Sequence, residues 1–391
     1  MKRDAIQTIG LPAAQEKVEP YQVREPGSFR KPSSPFTRIA YAAAHVVADP
    51  LSAKEPWLDA AIDWEATLAY RRHLWSWGFG VAEAMDTAQR GMGLDWNSSL
   101  LLIKKSLEEA KHFPGAVLAS GAGTDHLPQG EKHSIEKILA AYEEQCAAIE
   151  KPGGRIILMA SRALAASAKS PDDYAKVYDR ILGQVKEPVI IHWLGEMFDP
   201  ALAGYWGKKD HYQAMNVCLE VLSRNSSKVD GIKISLLDKD KEIAMRRKLP
   251  KGVRMYTGDD FNFAELIEGD AQGHSDALLG IFDSIAPAAS QALSLLSKQD
   301  QAGYHEVLAP TVPLSRHIFG TPTRFYKTGV VFMAWLNGHQ EHFTMVGGQQ
   351  SARNILHFAE LFRLADAAGL LADPPLACWR MKQLLALHGV A

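Results

Sequence analysis

One lysine inside a short apolar segment is the residue whose type and position most directly suggest chemistry. Lys233 lies in residues 229–237, Val-Asp-Gly-Ile-Lys-Ile-Ser-Leu-Leu, which have the composition of a buried strand. Because strand side chains alternate between faces, Ile232 and Ile234 share one face, and Lys233 lies on the opposite face with Ser235. Burial lowers the pKa of a lysine, and its free amine can then form a Schiff base with a carbonyl compound. The alternative is a lysine that pairs with a carboxylate in the core or at the surface.

The segments around this strand predict the fold that positions it. Between residues 36 and 286, short apolar segments alternate with amphipathic helical segments, which is typical of a parallel α/β fold. The predicted strands are residues 38–47, 80–85, 116–120, 156–160, 188–193, 229–236, 253–257 and 275–279. Eight strands are the number in a closed (β/α)8 TIM barrel, so functional residues are expected at the carboxyl ends of the strands.

Two flanking regions lack the strand-helix alternation. Residues 1–35 are rich in Pro, Lys, Glu and Ser and predict an extended N-terminal arm that packs on a neighbour or on the outside of the barrel. Residues 287–391 contain helical patterns only, and they predict a C-terminal helical extension. Its apolar helix faces must be covered by the barrel or by another subunit, so we expect a homo-oligomer.

Composition narrows the class of partner. The chain has 391 residues, 47% hydrophobic residues and a formal net charge of −2, and it contains no basic stripe, which argues against nucleic acid and favours a small-molecule substrate. No apolar segment approaches the roughly 18 residues of a membrane helix, and the N-terminus lacks a signal-peptide pattern, so we expect no membrane partner and a cytoplasmic location. Three scattered cysteines predict neither a disulfide framework nor a zinc site.

Several segments between residues 36 and 290 resemble the dihydrodipicolinate synthase and N-acetylneuraminate lyase superfamily of class I aldolase barrels. Residues 231–233, Gly-Ile-Lys, resemble its Schiff-base strand, and residues 256–260, Tyr-Thr-Gly-Asp-Asp, resemble the next strand and loop. Residues 119–123, which include Gly121, resemble its third-strand loop. The whole chain is similar to a divergent branch known only as a domain of unknown function. The resemblance implies a TIM barrel and a Schiff-base lysine that needs no cofactor.

The loop after the second strand departs from that family. Family members that use pyruvate hold its carboxylate with paired threonines, but here Asp86 takes the first position and Thr87 the second. Two partly desolvated carboxylates repel each other by roughly several kcal/mol. We therefore expect a neutral, hydroxyl-rich ketone such as a keto-sugar, with Asp86 accepting a hydrogen bond from a substrate hydroxyl. The alternative for Asp86 is an ordinary loop cap.

A second departure is His192, which occupies the position of the family's proton-shuttling tyrosine. Histidine transfers protons near neutral pH, so we predict this role for His192. The alternative is a core histidine whose hydrogen bonds are satisfied. An arginine that some family members carry shortly after the tyrosine is absent from residues 193–198, which removes an anion-binding group.

The remaining polar candidates follow other strands of the predicted barrel. Glu83, Asp259, Asp260 and His45 are predicted to bind substrate, and loop capping or salt bridges are the alternative for each. His45, Glu83 and His192 could together hold a divalent metal instead, as mixed His and carboxylate ligands do in sugar isomerases.

The function predicted from these residues is a Schiff-base lyase or aldolase that cleaves or dehydrates a keto-sugar or a related small ketone. A metal-dependent sugar isomerase or hydrolase on the same barrel is one alternative. A non-catalytic sugar-binding barrel is the other.

Overall fold

Ten strands occur in the part of the chain that the computed structural model describes, residues 7–13 and 17–390. β1 (Thr8–Pro12) and β2 (Val18–Gln22) form an antiparallel hairpin. The other eight strands are β3 (Ala40–Ala43), β4 (Gly80–Glu83), β5 (Leu118–Ala122), β6 (Arg155–Met159), β7 (Val189–Leu194), β8 (Val229–Ser235), β9 (Arg254–Thr257) and β10 (Asp276–Leu279). They form a closed parallel barrel in the order β10-β3-β4-β5-β6-β7-β8-β9, which confirms the predicted (β/α)8 fold.

Helices connect the strands and cover the outside of the barrel. They are α1 (Trp64–Ser76), α2 (Trp96–Lys111), α3 (Ile135–Glu150), α4 (Arg162–Ser167), α5 (Pro171–Gln184), α6 (His211–Arg224), α7 (Lys239–Arg246), α8 (Phe263–Glu268) and α9 (Ile281–Ser284). Side-chain caps fix several of their first residues. Asp63, Asp95 and Ser134 each accept a hydrogen bond from the backbone N–H three residues later, which satisfies a donor that the helix leaves free.

Alternation along the strands separates two apolar layers. Ile232 and Ile234 of β8 pack in the large core between the barrel and its helices. The barrel interior is filled by a separate cluster of buried residues: Tyr41, Ala43, Ala82, Met85, Ala119, Ile157, Met159, Ile190, Tyr256 and Leu278. Large and small side chains fill this space together, so the lower barrel is a packed core and leaves room for a ligand only near the carboxyl ends.

The chain continues beyond the barrel as six helices. They are α10 (Ala286–Ser297), α11 (Gln301–Leu308), α12 (Thr311–Ile318), α13 (Tyr326–Leu336), α14 (Ile355–Ala367) and α15 (Pro374–Leu387). Every residue of α13 is buried, and this helix contacts α9, α14, α15 and the turn 86–88. A helix that is apolar all round must be enclosed on all sides, so α13 is the centre of the extension and joins it to the barrel mouth.

The N-terminal hairpin packs on the helical extension of the same chain. Tyr21 donates a hydrogen bond from its hydroxyl to Asp366 of α14 at 2.7 Å, and Arg363 donates to the carbonyl of Pro12 at 3.0 Å. Residues 1–6 and 14–16 of the predicted arm lie outside the described residues. None of the described helices is long and apolar enough to cross a membrane.

Candidate active site

Lys233 lies on the interior face of β8, as strand alternation predicts. The backbone of Gly258, after β9, approaches the lysine so closely that a Cβ at that position would lie 2.7 Å from Lys233 Cε. A residue with a side chain would therefore displace the lysine, which explains the glycine. Only 7% of Lys233 is exposed, so its amine is held in a fixed and largely dehydrated position near the top of the barrel.

Burial sets the protonation of this amine. Burial lowers the pKa of Lys233, while the charges of Asp260 and Asp86 oppose that change. Among the described residues, no carboxylate forms an ion pair with it at close range. The charges of two carboxylates therefore act on the amine, but neither carboxylate forms an ion pair with it. An amine without an ion pair can lose its proton more easily, as a nucleophile must.

Asp260 follows β9 and is almost fully buried. Its Oδ1 accepts a hydrogen bond from the backbone N–H of Ile281 at 2.9 Å, and its backbone carbonyl accepts one from Ser315 Oγ in α12. Burial raises the pKa of Asp260 to about 7, and the neighbouring Lys233 opposes the rise. Near neutral pH this carboxyl group can therefore either donate or accept a proton.

His192 lies on β7 directly beside Lys233, because the two residues are register partners of neighbouring strands. Its Nε2 lies 3.3 Å from Ser235 Oγ, and its Nδ1 has no hydrogen-bond partner among the described residues. Burial, together with the charge of Lys233, lowers the pKa of His192 well below its ordinary value. The ring is therefore neutral at physiological pH, and its Nδ1 is available for a hydrogen bond with a ligand.

The turn after β4 brings Asp86 and Thr87 to the barrel mouth. Ala84 has a left-handed backbone conformation (φ 51°), which ends the strand alternation and redirects the chain into the single helical turn Asp86–Ala88. A non-glycine residue in this conformation carries strain that the surrounding structure must offset. The result is that Asp86 lines a cavity above the barrel, and Thr87 Oγ1 meets the hydroxyl of Tyr326 at 2.8 Å.

Tyr326 was not predicted as a site residue. It is the first residue of α13, it is 4% exposed, and its ring stacks on Phe319 with centroids 4.4 Å apart. Burial and the charge of Asp86 raise the pKa of Tyr326 well above its ordinary value, so the phenol stays protonated. The helical extension thus places a hydroxyl group beside the turn that carries Asp86.

Lys327 and Arg324 are two further groups from the extension that the sequence analysis missed. Lys327 is 4% exposed, and its Nζ donates to the carbonyl of Arg324 at 3.0 Å and approaches Met92 Sδ at 3.2 Å. Burial lowers the pKa of Lys327 to about 8, and the charge of Asp86 opposes the change. Arg324 is exposed, and its guanidinium lies 4.7 Å from the ring centroid of Phe325.

A cavity of about 680 Å³ lies above the barrel, and Asp86, His192 and Arg324 are the members of this group of residues that line it. Asp86 and His192 line it from the barrel, and Arg324, Phe325 and Gln349 line it from the extension. Lys233 does not itself line the cavity but lies beside His192, at its base. The volume is typical of sites for small molecules. A ligand carbonyl that reached this base would meet an amine, a neutral imidazole and a carboxyl group.

The structure does not bring Glu83 and His45 to this cavity. Glu83 points outward from β4 into a bidentate ion pair with Arg71, at 2.7 and 2.9 Å, and also accepts a hydrogen bond from Ser106. His45 lies beyond the end of β3, where its Nδ1 is 2.8 Å from Asp283 Oδ2. Both side chains are fully buried in these contacts, so we do not include them in the candidate site.

Asp259 and Gly121 also have local structural contacts. Asp259 Oδ1 accepts hydrogen bonds from the backbone N–H groups of Phe261 and Asn262, so it caps the loop before α8. Gly121 lies where a Cβ would meet Met159 and the carbonyl of Ala84, so a glycine is required for packing. Neither residue lines the cavity.

The alternative metal site requires His45, Glu83 and His192 to converge. They do not, because Glu83 faces the outer helices, His45 pairs with Asp283, and only His192 lines the cavity. Among residues 7–13 and 17–390, no group of three or more His, Cys, Asp or Glu side chains is arranged to hold a metal ion. The donor set proposed from the sequence therefore does not fit a shared ion.

A comparison with known protein families shows which family the chain belongs to. Residues 9–390 match the family described as "Protein of unknown function (DUF993)". The chain belongs to this family. No curated protein matches the sequence.

Solved structures with the same fold come from the dihydrodipicolinate synthase group. YagE from E. coli K12, a prophage protein of the dihydrodipicolinic acid synthase family solved with pyruvate, has a TM-score of 0.62 at 12% identity and covers 91% of this chain and 99% of its own. The 4-hydroxy-tetrahydrodipicolinate synthase of Methylacidiphilum fumariolicum SolV has a TM-score of 0.62 at 13% identity, covering 90% and 97%. Dihydrodipicolinate synthase from Aquifex aeolicus has a TM-score of 0.59 at 11% identity, covering 90% and 98%.

These structures share the barrel and most of the extension with this chain. At such identities the likeness establishes the fold, and the fold implied by the sequence resemblance is confirmed. The chemistry has to be argued from the site itself.

Proposed function

We propose that the protein is a Schiff-base lyase or aldolase that acts on a keto-sugar or a related hydroxylated ketone. The observation that carries the proposal is the position of Lys233. It is a buried amine with a lowered pKa on the barrel interior, beside a neutral histidine and close to two carboxylates. Structural lysines are usually exposed or paired, so this environment favours a reactive amine.

The first step joins the amine to the substrate. The free amine of Lys233 attacks the ketone carbon, the carbonyl oxygen takes up a proton, and the nitrogen loses one to give a neutral carbinolamine. The protonated carboxyl of Asp260 then donates a proton to the carbinolamine hydroxyl, and water leaves as the iminium forms. The pKa of about 7 at Asp260 matches this task near neutral pH.

The iminium then makes the neighbouring bond reactive. In retro-aldol cleavage, a base takes the proton of the β-hydroxyl group, the carbon–carbon bond breaks, and its electron pair forms an enamine with the iminium. An aldehyde is released, and protonation and hydrolysis of the enamine free the second carbonyl product and Lys233. We assign the first of these transfers to His192, which lines the cavity and whose Nδ1 has no partner among the described residues, and the return of a proton to Tyr326, whose hydroxyl meets Thr87.

The carboxylates near Lys233 favour a ketone that carries no negative charge next to its carbonyl group. Asp86 and Asp260 are the charges that act most strongly on Lys233, and a substrate carboxylate next to its carbonyl would face both. Like charges in a partly dehydrated site repel, whereas carboxylates accept hydrogen bonds from hydroxyl groups. Fructose-like ketones therefore fit this end of the site better than 2-keto acids do.

Borohydride trapping tests the proposal. Wild-type protein is incubated with borohydride and either fructose-like ketones or 2-keto acids, and the intact mass is measured. We expect a reduced adduct with the hydroxylated ketones, located at Lys233 by peptide mapping. Lys233→Met and Lys233→Arg should give no adduct, because neither side chain forms an imine. The arginine variant keeps the positive charge near Asp86 and Asp260, so it separates the loss of the nucleophile from the loss of charge.

The control is the folded state of the variants, measured by circular dichroism and thermal denaturation. An adduct that persists in folded Lys233→Arg would refute the assignment. Trapping of 2-keto acids alone would refute the substrate class while leaving the Schiff base in place.

A further inference from the structure

The two ends of the cavity differ in charge. The charges that act most strongly on Lys233 are Asp260 and Asp86, whereas those that act on Lys327 are Asp86, Arg162, Asp199 and Arg324. Asp86 is common to both lysines. The charges that act on Lys233 are therefore carboxylates alone, whereas two arginines as well as two carboxylates act on Lys327.

Two of the arginines along the cavity are neutralised by carboxylates. Arg90 forms a bidentate ion pair with Asp125, at 2.7 and 2.9 Å, and it is almost fully buried. Arg162 pairs through its Nε with Asp199, and its side chain remains 30% exposed. These pairs contribute hydrogen-bond donors but little net charge to the cavity.

Arg324 and Lys327 remain as cations without an ion-pair partner among the described residues. Lys327 does not itself line the cavity, but its Nζ contacts two neutral acceptors of residues that do, the carbonyl of Arg324 and the sulfur of Met92. Arg324 lines the cavity with its guanidinium against Phe325. Two carboxylates of the lining are also unpaired: Asp86, on the barrel side, and Glu131, on an exposed loop. A buried lysine without a carboxylate is costly, because the charge loses hydration without gaining a counterion.

A ligand that carries an anionic group would supply the missing counterion. Guanidinium groups bind phosphate and carboxylate oxygens in pairs, and an adjacent ammonium adds a point charge. We propose that Arg324 and Lys327 bind a phosphate or carboxylate group carried by the substrate at the end farther from Lys233. This inference rests on the proposed function, because it describes the second end of the same substrate. The substrate class becomes a keto-sugar with a remote anionic group.

The test compares ketones that differ only in that group. Fructose, fructose 6-phosphate and fructuronate, which is fructose with a carboxylate at C6, are titrated in the borohydride assay, and the concentration for half-maximal labelling of Lys233 is determined. We expect at least one anionic ketone to label at a concentration about tenfold lower than fructose, the worth of one charge-assisted hydrogen bond. The preferred anion distinguishes a phosphate ester from a sugar acid. Inorganic phosphate should compete with the phosphorylated ketone.

Arg324→Gln should remove the preference, so that the anionic ketones label Lys233 at the same concentrations as fructose. Arg30→Gln is the matched control, since Arg30 is also an exposed arginine but lies outside the cavity. Lys327→Met removes the second cation with little change in volume, and thermal denaturation checks that it folds. The inference is overturned if wild-type protein labels equally well with all three ketones, or if Arg324→Gln retains the preference.

The proposed function and this inference fail in different ways. If no ketone labels Lys233, the Schiff-base proposal fails, and the anion site is then judged by thermal stabilisation with inorganic phosphate. Stabilisation of the wild type that is lost in Arg324→Gln supports the site, and equal stabilisation of both refutes it. If fructose labels Lys233 but phosphorylation has no effect, only the inference about the anionic group fails.

Discussion

The barrel and the helical extension each hold a buried lysine next to residues that line the same cavity, and the two lysines have different surroundings. Lys233 lies on a strand, next to His192 and within reach of the charges of Asp260 and Asp86. Lys327 lies on a helix and contacts a carbonyl and a thioether. A histidine and two carboxylates are the neighbours of the first lysine, and Arg324, which has no ion-pair partner among the described residues, lies next to the second. Both lysines have a lowered pKa, so a lowered pKa alone does not identify a nucleophile.

Replacement of each lysine by methionine should give the largest effect. It tests whether Lys233 carries out the chemistry and Lys327 contributes only to binding. Lys233→Met should reduce turnover of the trapped ketone by about 10³-fold or more, because the covalent route is lost. Lys327→Met should mainly raise the ketone concentration needed for half-maximal rate, by about tenfold, because it removes binding and not chemistry. Steady-state rates over a range of ketone concentrations separate the two outcomes. A large drop in the maximal rate of Lys327→Met, with labelling of Lys327, would reverse the assignment.

Removal of one hydroxyl from the extension should have the next largest effect. Tyr326→Phe keeps the ring stack with Phe319 but deletes the group that meets Thr87, so we expect turnover to fall by about 10²-fold while the iminium at Lys233 is still trapped. Turnover and trapping are measured on the same preparation. Tyr304→Phe is the matched control, since its buried hydroxyl donates to the carbonyl of Ala264 outside the cavity.

Equal losses of turnover in the two tyrosine variants would indicate a general packing defect. Unchanged turnover in Tyr326→Phe would remove the extension from the proton-transfer steps and leave them to barrel residues alone.

A pH profile gives the smallest expected effect. Ionised Asp260 favours the charged form of Lys233 and thus raises the pKa of this lysine, in opposition to burial. Asp260→Asn removes that charge above pH 7, where the wild-type carboxyl is mostly ionised, so the pKa of Lys233 should fall further. The free amine then forms at lower pH. We expect the maximal trapping to fall, because the acid of the dehydration step is lost, and the midpoint of the rise in iminium trapping to move to lower pH.

The same profile for Lys327→Met should keep the wild-type midpoint, since the charges that act on Lys233 do not include Lys327. A midpoint that stays fixed or rises in Asp260→Asn would show that this carboxyl does not act on Lys233.

The barrel and its lysine were predictable because they depend on local patterns. Each strand is a short apolar segment between turn residues, and the period of two places Lys233 opposite Ile232 and Ile234. The structure confirms the eight strands and their order. The roles of Lys233 and His192, the homo-oligomer and the cytoplasmic location stay predictions.

The contribution of α13 was not predictable from local patterns. Residues 326–336 are apolar on all sides, a pattern that indicates burial but not the neighbour. The contact between Thr87 and Tyr326 joins residues 239 positions apart, and only the complete fold shows it. Lys327 is a single charge in an apolar helix, and this was the one signal that could have identified it.

Glu83 and His45 were predicted to bind substrate, and they lie outside the cavity for two different reasons. Val81 and Glu83 share a face of β4, and Val81 packs in the outer core, so the pattern itself places Glu83 outside the barrel. His45 shares the parity of Tyr41 and Ala43, but β3 ends at Ala43, and alternation no longer applies beyond that residue. Its contact with Asp283 depends on a helix that follows the last strand.

Part of the cavity wall is formed by Arg324 and Phe325, which the ribosome adds to the chain after the whole barrel. A ribosome-bound chain that has emerged as far as Ser284 already contains all eight barrel strands and Lys233. It contains neither the hydroxyl that meets Thr87 nor the wall formed by Arg324 and Phe325. Lys233 is thus synthesised well before Arg324, Phe325 and Gln349, which line the cavity. The complete cavity can form only after synthesis has passed Gln349.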